Sequence, residues 1–258
     1  MRLIENWQEF LKEVADPETV DTSSFEVKNS LHPDFWGNED KIVEEIGDRL
    51  YEIAKEFFKG LDLHWVDIID ITFTGSLANY TWSSFSDIDL HVIVDYNQID
   101  ENQELVKDFV RKSSSLWNRS HKILIKGFEV EVYIQDANEP HYSTGIYSIK
   151  NDQWIEKPSK IEPQIDIVNV QKKAAGLMDD IDKVYEVFLD KDYEHAYEQA
   201  EKIKDKIRKF RQAGLERGGA YSVENLAFKV LRRNEYLNKL SSLKVMSYDK
   251  MMSINGEY

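Results

Sequence analysis

The chain has 258 residues, is 41% hydrophobic and 12% aromatic, and contains no cysteine. That is enough apolar material for the packed core of one large or two small domains, and it excludes disorder, a disulfide framework and thiolate metal sites. The formal net charge of −15 argues against binding a nucleic-acid backbone as the main activity, although a local basic groove is compatible with it.

The start, MRLIENWQEFLKEV, has early acidic residues and no continuous apolar core, so it does not read as a signal peptide. Nowhere does a run of about 18 apolar residues occur, so the expectation is a soluble, cytoplasmic protein without a membrane partner. Leu3, Ile4, Trp7, Phe10, Leu11 and Val14 recur at helical spacing over residues 2–15, before Pro17. Residues 21–38 read as irregular. Ile42, Val43, Ile46, Leu50, Ile53, Ala54 and Phe57 then predict an amphipathic helix over 39–59, closed by Gly60.

The period next changes to two. VDIIDITFTG (66–75) and DIDLHVIVD (87–95) read as strands, residues 101–118 as a helix, and HKILIKG (121–127) with FEVEVYIQD (128–136) as a hairpin turning at Gly127. HYSTGIYSI (141–149) either extends this layer or forms a loop. After Pro158 and Pro163 the pattern is helical. One helix carries Ile167, Val170, Ala174, Leu177, Met178, Ile181 and Val184, and another spans about 192–212. Gly214, Gly218 and Gly219 read as a loop. A further helix over SVENLAFKVLRRNEYLNKL is N-capped by Ser222. The prediction is an α+β chain in two domains. Residues 1–160 hold a small mixed sheet with flanking and N-terminal helices, and residues 161–258 form an α-helical domain.

The stretch FTGSLANYTWSSFSDIDLHVIVD (73–95) carries the chemistry. Alternate residues of a strand share a face, so Asp87 and Asp89 point one way while Ile88 and Leu90 enter the core. Carboxylates leaving the start of an apolar strand are costly unless something positive meets them, and two hard oxygen donors on one face suit Mg²⁺. Gly75 lets a backbone approach a phosphate, and Ser76 offers it a hydroxyl and an N–H. A helix starting at Ser76 would add its N-terminal partial charge, and Ser76 would equally serve as its cap.

This order of strand, Gly-Ser, spacer and Asp-Ile-Asp-Leu resembles the signature of the polymerase-β-like nucleotidyltransferase superfamily. The resemblance covers roughly residues 66–136. It implies a nucleotidyltransferase core for the sheet. It also implies an Mg²⁺-dependent enzyme, with two ions and Mn²⁺ as a substitute. The reaction would move a nucleoside monophosphate from a nucleoside triphosphate, ATP first among them, to an acceptor hydroxyl with release of pyrophosphate. Gly75 and Ser76 match the phosphate-gripping pair, and Asp87 and Asp89 the metal-binding pair. A third acid is implied on strand 128–136, where Glu129 and Glu131 share a face. Glu131 is preferred because it sits mid-strand between Val130 and Val132, and its role would be to ligate metal and deprotonate the acceptor. Relatives recruit cations from a helical half, so Lys229 and Arg232, with Arg233 at spacing i, i+3 and i+4, are implied triphosphate contacts or else a solvated face.

His91 shares the Asp87/Asp89 face as a substrate contact or a hydrogen-bonded histidine. Tyr142, Ser143, Thr144 and Tyr147 are candidates for a pocket by chain position alone. The run EKIKDKIRKFR (201–211) reads as an exposed helix face or a surface for RNA or an acidic partner. The acceptor stays open between an RNA end, a nucleotide, a small molecule and a protein. The alternative function is a nucleotide-binding module on the same scaffold without catalysis.

Overall fold

The computed structural model describes residues 20–141, 143–160 and 163–254, so the helix expected over 2–15 lies outside the described residues. The chain divides into two compact units, residues 24–162 and residues 163–254 together with 20–23.

The first unit holds α1 (Glu44–Lys59), β1 (Asp70–Thr74), β2 (Ile88–Val94), α2 (Gln103–Ser120), β3 (Leu124–Ile125), β4 (Phe128–Asp136), β5 (Ile146–Ser148) and β6 (Gln153–Glu156). The six strands form one mixed sheet in the order β3-β4-β2-β1-β5-β6. Only β2 and β4 pair in parallel, and α2 lies in the crossover that a parallel pair requires. Burial alternates along β4: Val130, Val132 and Ile134 are buried, while Glu129, Glu131, Tyr133 and Gln135 are half-buried. The apolar face joins Ile71, Phe73, Leu90 and Val92 in one core with Leu50, Ile53 and Phe57 of α1 and Val106 and Val110 of α2. The helices therefore share one side of the sheet, and the other side carries polar residues.

Several expected boundaries shift for local reasons. Helix α1 begins at Glu44 and not at 39, because Asn38–Asp40 make a single 3₁₀ turn with Glu39 and Asp40 at positive φ, and Ile42 bridges to Trp36. The first strand begins at Asp70 because its partner β2 ends at Val94, leaving residues 66–68 without a ladder. The hairpin turn uses Lys126 and Gly127, both at positive φ (51° and 88°), the geometry of a two-residue primed turn. Within 141–149 the structure has both outcomes: residues 146–148 extend the sheet as β5, and residues 143–145 are loop. Strand β6 has no counterpart in the sequence reading; it is short and mostly exposed, so its pattern carries little apolar signal.

The second unit is helical: α3 (Ile167–Leu189), α4 (Tyr193–Gly218), α5 (Val223–Arg233) and α6 (Tyr236–Met252). Asp166, Asp192 and Ser222 cap α3, α4 and α5 by accepting backbone N–H groups three residues on. Two expectations fail here. Gly214 lies inside α4 and not in a loop, because α5 packs so closely that a Cβ there would meet Glu224 Cβ at 2.4 Å. The long helix from Ser222 is two helices, broken where Glu235 takes a left-handed conformation (φ 61°).

Candidate functional site

The polar face of the sheet is organised in rows by strand register. Thr74, Asp89 and Glu131 form one row across β1, β2 and β4. Thr72, His91 and Tyr133 form the next, and Asp70, Ile93 and Gln135 the third. Asp87 precedes β2 by one residue, on the same side as Asp89 by parity. The register thus brings Glu131 directly beside Asp89. Glu129 pairs with Leu124 of β3 at the hairpin end.

The loop between β1 and β2 supplies the Gly-Ser pair. Gly75 has φ +81°, and a Cβ on it would fall 1.9 Å from Asp89 Oδ2. Glycine is therefore favoured by its backbone conformation, and a Cβ there would also displace the Asp89 carboxylate. Leu77 and Ala78 are fully buried, and the Leu77 carbonyl accepts the Trp36 indole N–H at 2.7 Å. Ser86 Oγ accepts from the Ser76 hydroxyl (2.7 Å) and the Ser83 N–H (3.0 Å), closing the loop so that it returns toward Asp87. Asn79 Nδ2 donates to Thr144 Oγ1 at 2.7 Å, and Gly145 lies against the Ala78 carbonyl. No helix forms at Ser76: residues 75–80 are bends and turns, because Leu77 and Ala78 are drawn into the core. Ser76 therefore has no helix N-terminus behind it to add partial charge at a phosphate.

Tyr133 donates its hydroxyl to Glu131 Oε2 and holds that carboxylate in place. Its ring lies 5.4 Å from that of His91. Burial pushes the His91 imidazole down to about 4, with His141 adding to the effect, so the ring is neutral at physiological pH. His91 Nδ1 and Thr72 Oγ1, on one cross-strand pair, are buried with no hydrogen-bond partner among the described residues.

Asp87, Asp89 and Glu131 are the donor types Mg²⁺ takes, and the parallel register sets Asp89 and Glu131 on backbones about 4.8 Å apart. Their side chains are not gathered: no three His, Asp or Glu side chains among the described residues are placed to hold one ion. Asp89 lies against Gly75, and Glu131 is engaged by Tyr133. The donors fit an ion in kind and in register, and forming its shell takes side-chain rotation.

Lys229 and Arg232 lie on α5 in the helical unit, Lys229 half-buried and Arg232 exposed. Partial desolvation, then the charge of Arg232, lower the pKa of Arg211 of α4, so two guanidinium groups share a neighbourhood. Arg233 instead reaches Asp21. The basic run 201–211 is laced with ion pairs: Lys206 to Asp180 at 2.7 Å, and Arg208 and Lys209 to Asp205 at 2.8 and 3.2 Å. Of the residues expected at a pocket from chain position, Tyr142 lies outside the described residues. Tyr147 is in the core, bonded to Asp152, and Ser143 lines a cleft beside His91. Tyr133, Gln135 and Thr74 escaped the sequence reading, although the period of two from Glu131 places the first two on its face.

No protein-family model matches this chain, and no curated protein or solved structure is significantly similar to it.

Proposed function

We propose that the protein is a nucleotidyltransferase that moves a nucleoside monophosphate from a nucleoside triphosphate, ATP first, to an acceptor hydroxyl. The observation that carries this reading is the row Asp89–Glu131, set side by side by the β2–β4 register, with Gly75 packed on Asp89. The Gly-Ser loop and the carboxylates then meet at one end of the sheet, where a triphosphate and an attacking hydroxyl need to converge.

In this reading the backbone of Gly75 and the N–H and hydroxyl of Ser76 hold the β- and γ-phosphates. Mg²⁺, held by Asp87, Asp89 and Glu131, would neutralise the charge gathering on the phosphates. The acceptor oxygen forms a bond to the α-phosphorus. The bond from that phosphorus to the α,β-bridging oxygen breaks, and its electron pair leaves with pyrophosphate. Glu131 takes the acceptor's proton and passes it to solvent. Tyr133, which donates its hydroxyl to Glu131, stands beside that base.

The test is to incubate the protein with each α-labelled triphosphate and Mg²⁺, with and without cell extract. Label should enter a product, and Asp87→Asn with Asp89→Asn should reduce transfer to background while circular dichroism stays unchanged. Transfer that survives the double substitution would sink the proposal. Mg²⁺-dependent ATP binding without turnover on any acceptor would favour the non-catalytic module on the same scaffold.

A further inference from the structure

Beside the carboxylate row lies a cleft of about 390 Å³, whose lining includes Thr74, His91, Tyr133, Gln135, His141 and Ser143. We propose that this cleft binds the acceptor, and that the acceptor is a small uncharged or cationic molecule bearing a hydroxyl. The inference rests on the reading of Asp87, Asp89 and Glu131 as the transfer site.

Position separates this cleft from the triphosphate. Gly75 and Ser76 follow Thr74 at the end of β1. The cleft runs the other way along the sheet, from the Thr74 row to the His91–Tyr133 row and on to Gln135. It also shares a wall with the proposed base, because Tyr133 both lines it and donates to Glu131. A hydroxyl delivered through the cleft therefore arrives beside the carboxylate that takes its proton.

The lining selects the ligand class. Imidazole, amide, phenol and hydroxyl groups each give or accept hydrogen bonds, and such a set recognises hydroxyls and amines. His91 brings a buried nitrogen, Nδ1, that no described residue satisfies. A bound hydroxyl that reached it would meet a demand that is costly to leave open. No Lys or Arg stands among the described lining residues, and Glu139, paired with Lys107 at 3.5 Å, is their one carboxylate. A nucleic-acid 3′ end brings a phosphate with each nucleotide and needs cations or helix N-termini to meet them. The described lining residues offer none, on a chain of net charge −15. The volume also falls at the small-molecule end of binding sites, about 300–1,000 Å³.

The experiment uses α-labelled ATP and Mg²⁺ with three fractions of one cell extract: small-molecule filtrate, total RNA and total protein. Label should move into a filtrate product that binds an anion exchanger more weakly than ATP. In Gln135→Leu and in Ser143→Ala, the amount of filtrate giving half-maximal transfer should rise about 3–10-fold, the loss of one hydrogen bond, with half-saturation by ATP unchanged. Label in RNA or protein would overturn this inference and leave transfer standing. Label in no fraction would overturn the reading beneath it. Variants that weaken ATP half-saturation as much as the acceptor's would assign the cleft to the nucleotide and overturn the inference.

Discussion

At Gly75 two demands fall on one residue. Its φ of +81° lies where only glycine is comfortable, and the space beside its Cα is filled by the Asp89 carboxylate, 1.9 Å from where a Cβ would stand. Gly75→Ala must therefore strain the backbone and push Asp89 aside. The expected cost is about 1–3 kcal/mol in urea unfolding, with loss of Mg²⁺-dependent nucleotide binding. Unchanged stability and binding would show that the loop tolerates a Cβ and that the contact has no role. The sequence made Gly75, Ser76, Asp87 and Asp89 legible because their residue types and spacing are local. The choice of Glu131 over Glu129 had only its mid-strand place behind it. The register that sets it beside Asp89 belongs to pairing between residues 42 apart in sequence, which local pattern does not report, whereas Tyr133, which donates to it, stands two residues on in the same strand.

Among the elements, the helical unit shows how packing reverses a propensity. Alanine normally stabilises a helix interior relative to glycine by about 1 kcal/mol. Gly176 in α3 is exposed with nothing within 4 Å of its Cβ position, whereas at Gly214 in α4 a Cβ would meet Glu224 Cβ at 2.4 Å and the Ser222 hydroxyl at 2.8 Å. Gly176→Ala should raise stability by about 0.5–1 kcal/mol. Gly214→Ala should lower it by about 1–3 kcal/mol, by forcing α5 away and disturbing its Ser222 cap. Chemical denaturation of both variants checks the pair, and two shifts of the same sign would refute the close α4–α5 contact. The same contact explains why three glycines in six residues look like a loop in sequence while α4 runs through the first and ends on the second. The break at Glu235 was equally hidden, since a left-handed glutamate has no composition signal.

Over the whole molecule, charge sets a bulk property. The chain carries 48 acidic and 33 basic residues, while its ion pairs are mostly exposed and worth little each. Self-repulsion should outweigh the pairs, so screening should stabilise. The melting temperature should rise by about 2–5 °C as salt goes from about 0.01 to 0.15 M and the Debye length falls from about 30 to 8 Å. A fall over that range would mean that ion pairs such as Lys206–Asp180 dominate. The sequence by itself determined the type of most described elements, the division between a mixed-sheet part and a helical part, and the candidate Gly-Ser and Asp-x-Asp residues. Periodicity, capping and short-range spacing act within a few residues. Only the tertiary structure decided which carboxylate stands beside Asp89, that Leu77 and Ala78 enter the core and leave Ser76 without a helix, and that a cleft opens along His91 and Tyr133. Those facts depend on strand register and burial between distant segments, where side chains far apart in sequence compete for the same space and the same hydrogen bonds.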